Sequence, residues 1–293
     1  KKPLSQLWKD CYLMSKFGII AEGLSVTYKN GKNAIANASF ELPLGSIAAL
    51  VGVNGSGKST VFKAIMGFVP ITYGKIKILD MSVQSALRQS LVAYVPQSEE
   101  IDWNFPVLVS DVVMMGRYGF MGLMRNPSKN DINAVDDALT KVGMIAFKNS
   151  QIGELSGGQR QRVFFARAIA QNSKIILLDE PFTGVDVLTE EVMMQILRDM
   201  RDEGKLILVS THNLGSVPRF CDQTILLKKR ILAYGETKRI FNRKNLENTF
   251  GGVLRHFILG GSDLHDDNDN RKVHIITDDE RPFITYDDKD VTK

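Results

Sequence analysis

Gly52-Val53-Asn54-Gly55-Ser56-Gly57-Lys58-Ser59 carries the spacing G-x-x-x-x-G-K-S of a phosphate-binding loop. Its three glycines let the backbone curl until successive N–H groups face one anion. Ahead of it, Ile47-Ala48-Ala49-Leu50-Val51 has the composition of a buried strand. Behind it, the residues from Lys58 onward read as a helix, whose N-terminus attracts the same phosphates. Strand, loop and helix therefore come in the order such a site needs. Gly52, Asn54, Gly55, Ser56, Gly57 and Thr60 are the candidate cradle. Lys58 is placed to reach the β- and γ-phosphates, and the Ser59 hydroxyl to hold Mg²⁺.

The chain of 293 residues is long enough for one large α/β domain with an appendage, or for two small domains. A net charge of +4 argues neither for nor against nucleic acid, and no basic cluster has the size of a phosphate-backbone footprint. Nucleic acid is therefore not an expected partner. Cys11 and Cys221 form neither a C-x-x-C pair nor a zinc spacing, which suits a reduced, cytosolic compartment. No apolar run reaches the length of about 18 residues that a spanning helix needs. Lys1 to Asp10 is charged and lacks the apolar core of a signal peptide. Residues 1–16 are read as an N-terminal extension, with Met14 as a candidate true start.

Downstream of the extension, residues 18–28 alternate as a half-buried strand does, Asn30-Gly31 signals a hairpin, and residues 35–42 form the return strand. Lys75 to Leu79 and Leu91 to Val95 read as further strands. From about residue 98 to 160 helical spacing dominates, which predicts an inserted helical subdomain. Val109, Val112, Val113 and Met115 form one expected apolar stripe; Ile132, Val135, Ala138, Leu139 and Val142 form another. Then Ile175-Ile176-Leu177-Leu178 and Leu206-Ile207-Leu208-Val209-Ser210 return as buried strands around a helix over about 188–202. Interleaved strands and helices imply a mostly parallel sheet with its ligand at the carboxyl ends of the strands. The early hairpin adds an antiparallel layer. From about Gly260 the chain is rich in aspartate and reads as a weakly packed acidic tail.

A phosphate-binding loop needs a carboxylate at the end of a neighbouring strand. Asp179 fits as a holder of Mg²⁺. Glu180, directly after it, can orient or deprotonate a water that attacks the γ-phosphate. Leu155-Ser156-Gly157-Gly158-Gln159 opens a second helix with free backbone donors, again suited to phosphate. One chain cannot easily bring both glycine loops onto the same γ-phosphate. Two chains packed head to tail can.

The order of P-loop, Gln97, LSGGQ, LLDEP, Asp186 and His212 resembles the ATP-binding subunit of an ABC transporter over about residues 17–245. The resemblance implies a P-loop NTPase fold, ATP and Mg²⁺ as ligands, and a head-to-tail homodimer that shares each nucleotide. In such a dimer Ser156, Gly157, Gly158 and Gln159 face the partner's ATP, with Asp186 in the loop beside them. It also implies that Tyr28 stacks on adenine, although a strand aromatic in the core would look the same. Gln97 would contact Mg²⁺ or the lytic water, and His212 the γ-phosphate. Glu180, His212, Gln97 and Lys58 are then the candidate catalytic residues, and Ser59, Gln97 and Asp179 the Mg²⁺ ligands.

A finer similarity, carried by Tyr94-Val95-Pro96-Gln97, Asp102 to Val107, Val112 to Arg117, Pro181-Phe182-Thr183-Gly184-Val185-Asp186 and Gly251 to His256, is to ATPases of bacterial manganese, zinc and chelated-iron importers. That implies transmembrane permease subunits as partners, a periplasmic or surface metal-binding protein acting through them, and a peripheral position on the cytoplasmic face of the membrane. Zinc or an iron siderophore are alternative cargoes. A soluble ABC ATPase working on DNA or the ribosome would need a long coiled coil or a second cassette, neither of which is present. Trp103, Phe105, Tyr118, Phe120, Met121, Leu123 and Met124 could receive the permease or fill the helical core. Residues 246–293 are read as a C-terminal extension, in which His256, His265 and His274 near the acidic run are a weak metal-sensor candidate.

Overall fold

A computed structural model describes residues 15–97, 106–122, 124–251, 255–259, 273–277 and 283–286. Strands β1 (Phe17–Thr27), β2 (Asn33–Pro43), β4 (Tyr73–Ile78) and β5 (Met81–Ser82) form an antiparallel sheet in the order β2-β1-β4-β5. A second sheet runs β10-β9-β3-β8-β7-β6, built from β3 (Ser46–Val51), β6 (Val92–Val95), β7 (Ile175–Asp179), β8 (Leu206–Thr211), β9 (Gln223–Leu227) and β10 (Ile231–Glu236). All its pairings are parallel except β9 with β10.

Helix α1 (Lys58–Ile65) lies between the two sheets. Val61, Phe62, Ala64 and Ile65 are packed with Ile19, Leu24 and Phe40 from one sheet and Leu50 and Leu208 from the other. Burying a side chain such as Phe62 or Ile65 contributes about 1.5–3 kcal/mol, so the helix that carries the P-loop is fixed on both sides. Strand β3 is buried along its whole length. That is why its sequence is a continuous apolar run and not an alternating one.

Helix α2 (Val83–Arg88) follows β5, and the helical layer is built by α3 (Val109–Met114), α4 (Lys129–Lys141) and α5 (Gly157–Gln171). It shares one core with α6 (Val187–Asp202) and the far face of the parallel sheet. Two members of the expected stripes lie outside it. Met115 and Ile132 are exposed. Met115 falls where α3 tightens into a 3₁₀ turn, so the 3.6-residue period no longer holds there. Ile132 sits in the first turn of α4, pointed away from the core that buries Val135, Ala138 and Leu139.

Beyond β8 come α7 (Val217–Phe220), α8 (Thr237–Ile240) and α9 (Arg243–Phe250). Leu246 and Phe250 of α9 pack with Ala49 and Val51 of β3, so the packed body runs past the boundary expected at residue 245. Toward the C-terminus, β11 (Arg255–Leu259) and two strands within the stretch read as an acidic tail, β12 (Val273–Thr277) and β13 (Phe283–Tyr286), form a three-stranded antiparallel sheet. Short apolar runs between the aspartates suffice for strands, although the composition alone suggested none. Trp103, Phe105, Leu123 and His265 lie outside the described residues, as do the side chains of His256 and His274. Among the described residues, no helix is long and apolar enough to cross a membrane.

Candidate functional site

The P-loop leaves β3 at its carboxyl end, where open parallel sheets place their ligands. Two of its glycines are required by contact. A Cβ at Gly52 would run into the Leu227 carbonyl and the Ser56 hydroxyl. Gly57 has φ +109, and a Cβ there would meet the Ala34 carbonyl at 2.9 Å. The loop so formed opens into a cavity of about 400 Å³. Asn54, Gly55, Gly57, Lys58, Ser59 and Thr60 line its floor, with Tyr28, Gln97 and Glu180 around it. The P-loop, Tyr28, Gln97 and Glu180, all singled out from sequence, thus share one cavity.

Tyr28 lies just past the end of β1 and is partly exposed, so it is not a core aromatic. Its hydroxyl is 3.0 Å from the Thr60 hydroxyl, which ties the ring to the start of α1. Lys58 is only 6% exposed. Its Nζ donates to the Gly52 carbonyl at 2.8 Å and lies 3.5 Å from that of Val53.

Glu180 is the hub of the polar wall. Gln97 Nε2 donates to its Oε2 at 3.3 Å, while Lys58 Nζ at 3.8 Å and His212 Nδ1 at 3.4 Å approach its Oε1. Its backbone is in the left-handed region, φ 50, and its N–H donates to Ser210 Oγ at 3.0 Å. The His212 hydrogen bond holds the Glu180 carboxyl below its ordinary range; burial opposes this, and the charges of His212 and Lys58 assist it.

Asp179 ends β7 and is 3% exposed. Burial pushes its carboxyl up, while hydrogen bonds from Ser210 and Ser59 pull it back. A buried carboxylate joined to the Ser59 hydroxyl, with the Gln97 amide on the same cavity, is a set of hard donors that fits a small divalent cation such as Mg²⁺. Sequence reading missed Ser210. It closes the apolar run of β8, but only the register Asp179↔Ser210 gives it a role. No group of three or more His, Cys, Asp or Glu suited to a metal occurs among the described residues.

The second glycine loop stands apart, because none of Ser156, Gly157, Gly158 and Gln159 lines the P-loop cavity. Ser156 is the N-cap of α5 in a reciprocal capping box with Gln159: Ser156 N–H donates to Gln159 Oε1 at 2.8 Å, and Gln159 N–H to Ser156 Oγ at 3.3 Å. Asp186 caps α6, accepting from Thr189 N–H at 2.9 Å and from the Thr189 hydroxyl at 2.7 Å. The Thr189 backbone bond, then its hydroxyl, hold the Asp186 carboxyl below its ordinary range. A cavity of about 230 Å³ opens on the far side of Glu180, where His212, Asn213 and the buried Glu190 meet the 181–185 turn. Glu190, four residues past Asp186, also went unread in the sequence; a carboxylate in a helix's first turn gives no sign that it is buried.

The ABC transporter family matches residues 35–183. The chain is 58% identical over 268 residues to the chelated iron transport system membrane protein YfeB of Yersinia pestis, covering 92% of this chain and 90% of that one. It is 56% identical over 240 residues to the manganese transport system ATP-binding protein MntA of Synechocystis, covering 82% and 92%. Among solved structures, an inward-facing ABC transporter of metal-chelate type superposes with a TM-score of 0.72 at 26% identity, over 92% of this chain and 96% of that one.

Proposed function

Because the chain belongs to the ABC transporter family, we propose that it is the ATP-hydrolysing motor subunit of a bacterial importer of transition-metal ions, with manganese or iron as cargo. The observation that carries the cargo is its identity with the chelated-iron and manganese relatives over most of its length. The catalytic domain is read as residues 17–245, with the helical subdomain over about 98–160, an extension before it and residues 246–293 after it, although the packed body continues through α9 to Phe250.

In this reading ATP lies in the P-loop cavity with adenine on Tyr28. Lys58 exchanges the Gly52 carbonyl for the β- and γ-phosphates, aided by the backbone N–H groups of the loop and the N-terminus of α1. Ser59, Asp179 and Gln97 hold Mg²⁺. When bound, Mg²⁺ neutralises charge that develops on the phosphates. Glu180 orients the attacking water and takes its proton, and His212 and Gln97 keep carboxylate and water in line with the γ-phosphate. ATP and water become ADP and phosphate, chiefly through positioning and charge stabilisation. A second copy, head to tail, completes each site with Ser156, Gly157, Gly158, Gln159 and Asp186. Closing and reopening of that dimer would drive transmembrane permease subunits from the cytoplasmic face of the cell membrane, the metal arriving from a periplasmic or surface binding protein.

The test is uptake. A strain lacking this chain receives either the wild type or Lys58→Ala, and accumulation of radiolabelled manganese, ferrous iron and zinc is followed at low external concentration. Manganese or iron uptake restored only by the wild type is expected. Restoration of zinc alone, or of none of them, would overturn the assigned cargo.

A further inference from the structure

The turn Lys228-Lys229-Arg230 joins β9 to β10 beneath the P-loop. Lys229 sits there with φ 58, in the left-handed region where glycine is the unstrained choice. Both of its backbone polar groups are engaged across elements. Its N–H donates to the Ser56 carbonyl of the P-loop at 2.8 Å, and its carbonyl accepts from Ala36 N–H of β2 at 2.7 Å. Its neighbour Lys228 reaches the Asn248 carbonyl near the end of α9 at 3.4 Å, which pins the turn from the other side. Lys229 is exposed and is one of the residues that line the P-loop cavity, as is Lys32 of the β1–β2 turn. Among the described residues around this cavity, Lys32, Lys58 and Lys229 are the cations and Glu180 is the one acid.

A turn with these bonds needs a left-handed residue at this point; it does not need a lysine. Strain that persists next to a ligand cavity is characteristic of functional positions. We propose that Lys229 is a nucleotide-contacting residue. Its main chain holds the Ser56 peptide of the P-loop in place, and its ammonium supplies a cation, additional to Lys58, to the phosphates of ATP. The proposal rests on the ATP-binding reading above.

Lys229→Gly separates the two roles, because glycine keeps the main-chain bonds, relieves the strain and deletes the charge. ATP binding to the purified subunit is measured by calorimetry at low and high salt, beside thermal unfolding, with Lys229→Arg and Lys58→Ala in parallel. At low salt Lys229→Gly should bind ATP about fivefold more weakly, the size of one exposed charge contact, with the deficit shrinking as salt screens it. Its unfolding temperature should match or exceed the wild type, and Lys229→Arg should restore affinity. Wild-type affinity in Lys229→Gly would overturn the proposal. So would a weaker ATP affinity accompanied by lowered stability, which marks a structural lysine. If the wild type itself binds no ATP, or binds it no better than Lys58→Ala, the nucleotide reading fails first and this proposal falls with it.

Discussion

Ser210 donates its hydroxyl hydrogen to Asp179 at 2.5 Å, from a position directly opposite it in the β7–β8 register. The same oxygen accepts the N–H of Glu180 at 3.0 Å. One hydroxyl therefore holds both carboxylates, one through its side chain and the other through a backbone in the left-handed region.

A buried carboxylate of this kind is costly in the nucleotide-free protein. The carboxyl of Asp179 is raised by burial, so its contribution favours the fold when protonated and is lost as pH rises through its folded value. Asp179→Asn keeps an oxygen that can accept from Ser210 and removes the charge. We expect it to stabilise the nucleotide-free subunit at pH 7 by about 1 kcal/mol, with a gain that disappears as the pH falls and Asp179 protonates. Mg²⁺-dependent ATP turnover should be lost in the same variant. Urea unfolding between pH 4 and 7 checks it; a destabilised Asp179→Asn would show that the charge is satisfied within the apo protein.

The P-loop, its strand and the alternation of strands with helices were legible from sequence because each is a local pattern: a glycine spacing, an apolar run, a period. The P-loop part of the cavity was legible for the same reason, whereas Tyr28 and Gln97 were picked out only by the family resemblance. Ser210 was not, because its role depends on which strand lies beside β7, and Lys229 was not, because nothing in Lys228-Lys229-Arg230 announces a left-handed residue beneath a phosphate loop. Met115 and Ile132 were assigned to the core by a helical period that ends at Met114 in one case and had barely begun in the other. The tail was judged by its aspartates, whereas β12 and β13 are short runs set between them.

Glu180 is held low by His212, then by the His212 and Lys58 charges against burial. A lowered carboxyl stabilises the fold above its unfolded value, and the contribution is lost as pH falls through the lower folded value. Glu180→Gln should therefore be less stable than the wild type at pH 7, and the gap should close only in acid, below the ordinary glutamate range. ATP affinity should persist while turnover falls at least about a hundredfold, the usual cost of removing a general base. Single-turnover hydrolysis and a pH series of unfolding curves decide this; turnover at the wild-type rate would remove Glu180 from the chemistry.

Ser156 has a structural task in its own chain and a proposed chemical one in its partner's, and one variant can tell them apart. Ser156→Ala breaks the capping box with Gln159 and should cost about 1 kcal/mol in the subunit's own stability. The Ser156 loop lines no part of the P-loop cavity, so ATP should bind a dilute, monomeric subunit with unchanged affinity. In the proposed head-to-tail dimer the loop's donors face the γ-phosphate of the other chain, and losing one such donor would cost about a hundredfold or more in rate. Mixed with excess Lys58→Ala protein, which cannot hold its own ATP, the Ser156→Ala chain should regain turnover. Its P-loop then faces an intact Ser156 from the other copy. Two variants that are each inactive and recover activity together would place the loop across the interface. Continued inactivity, with ATP affinity reduced in the monomer, would mean that the loop serves the P-loop of its own chain.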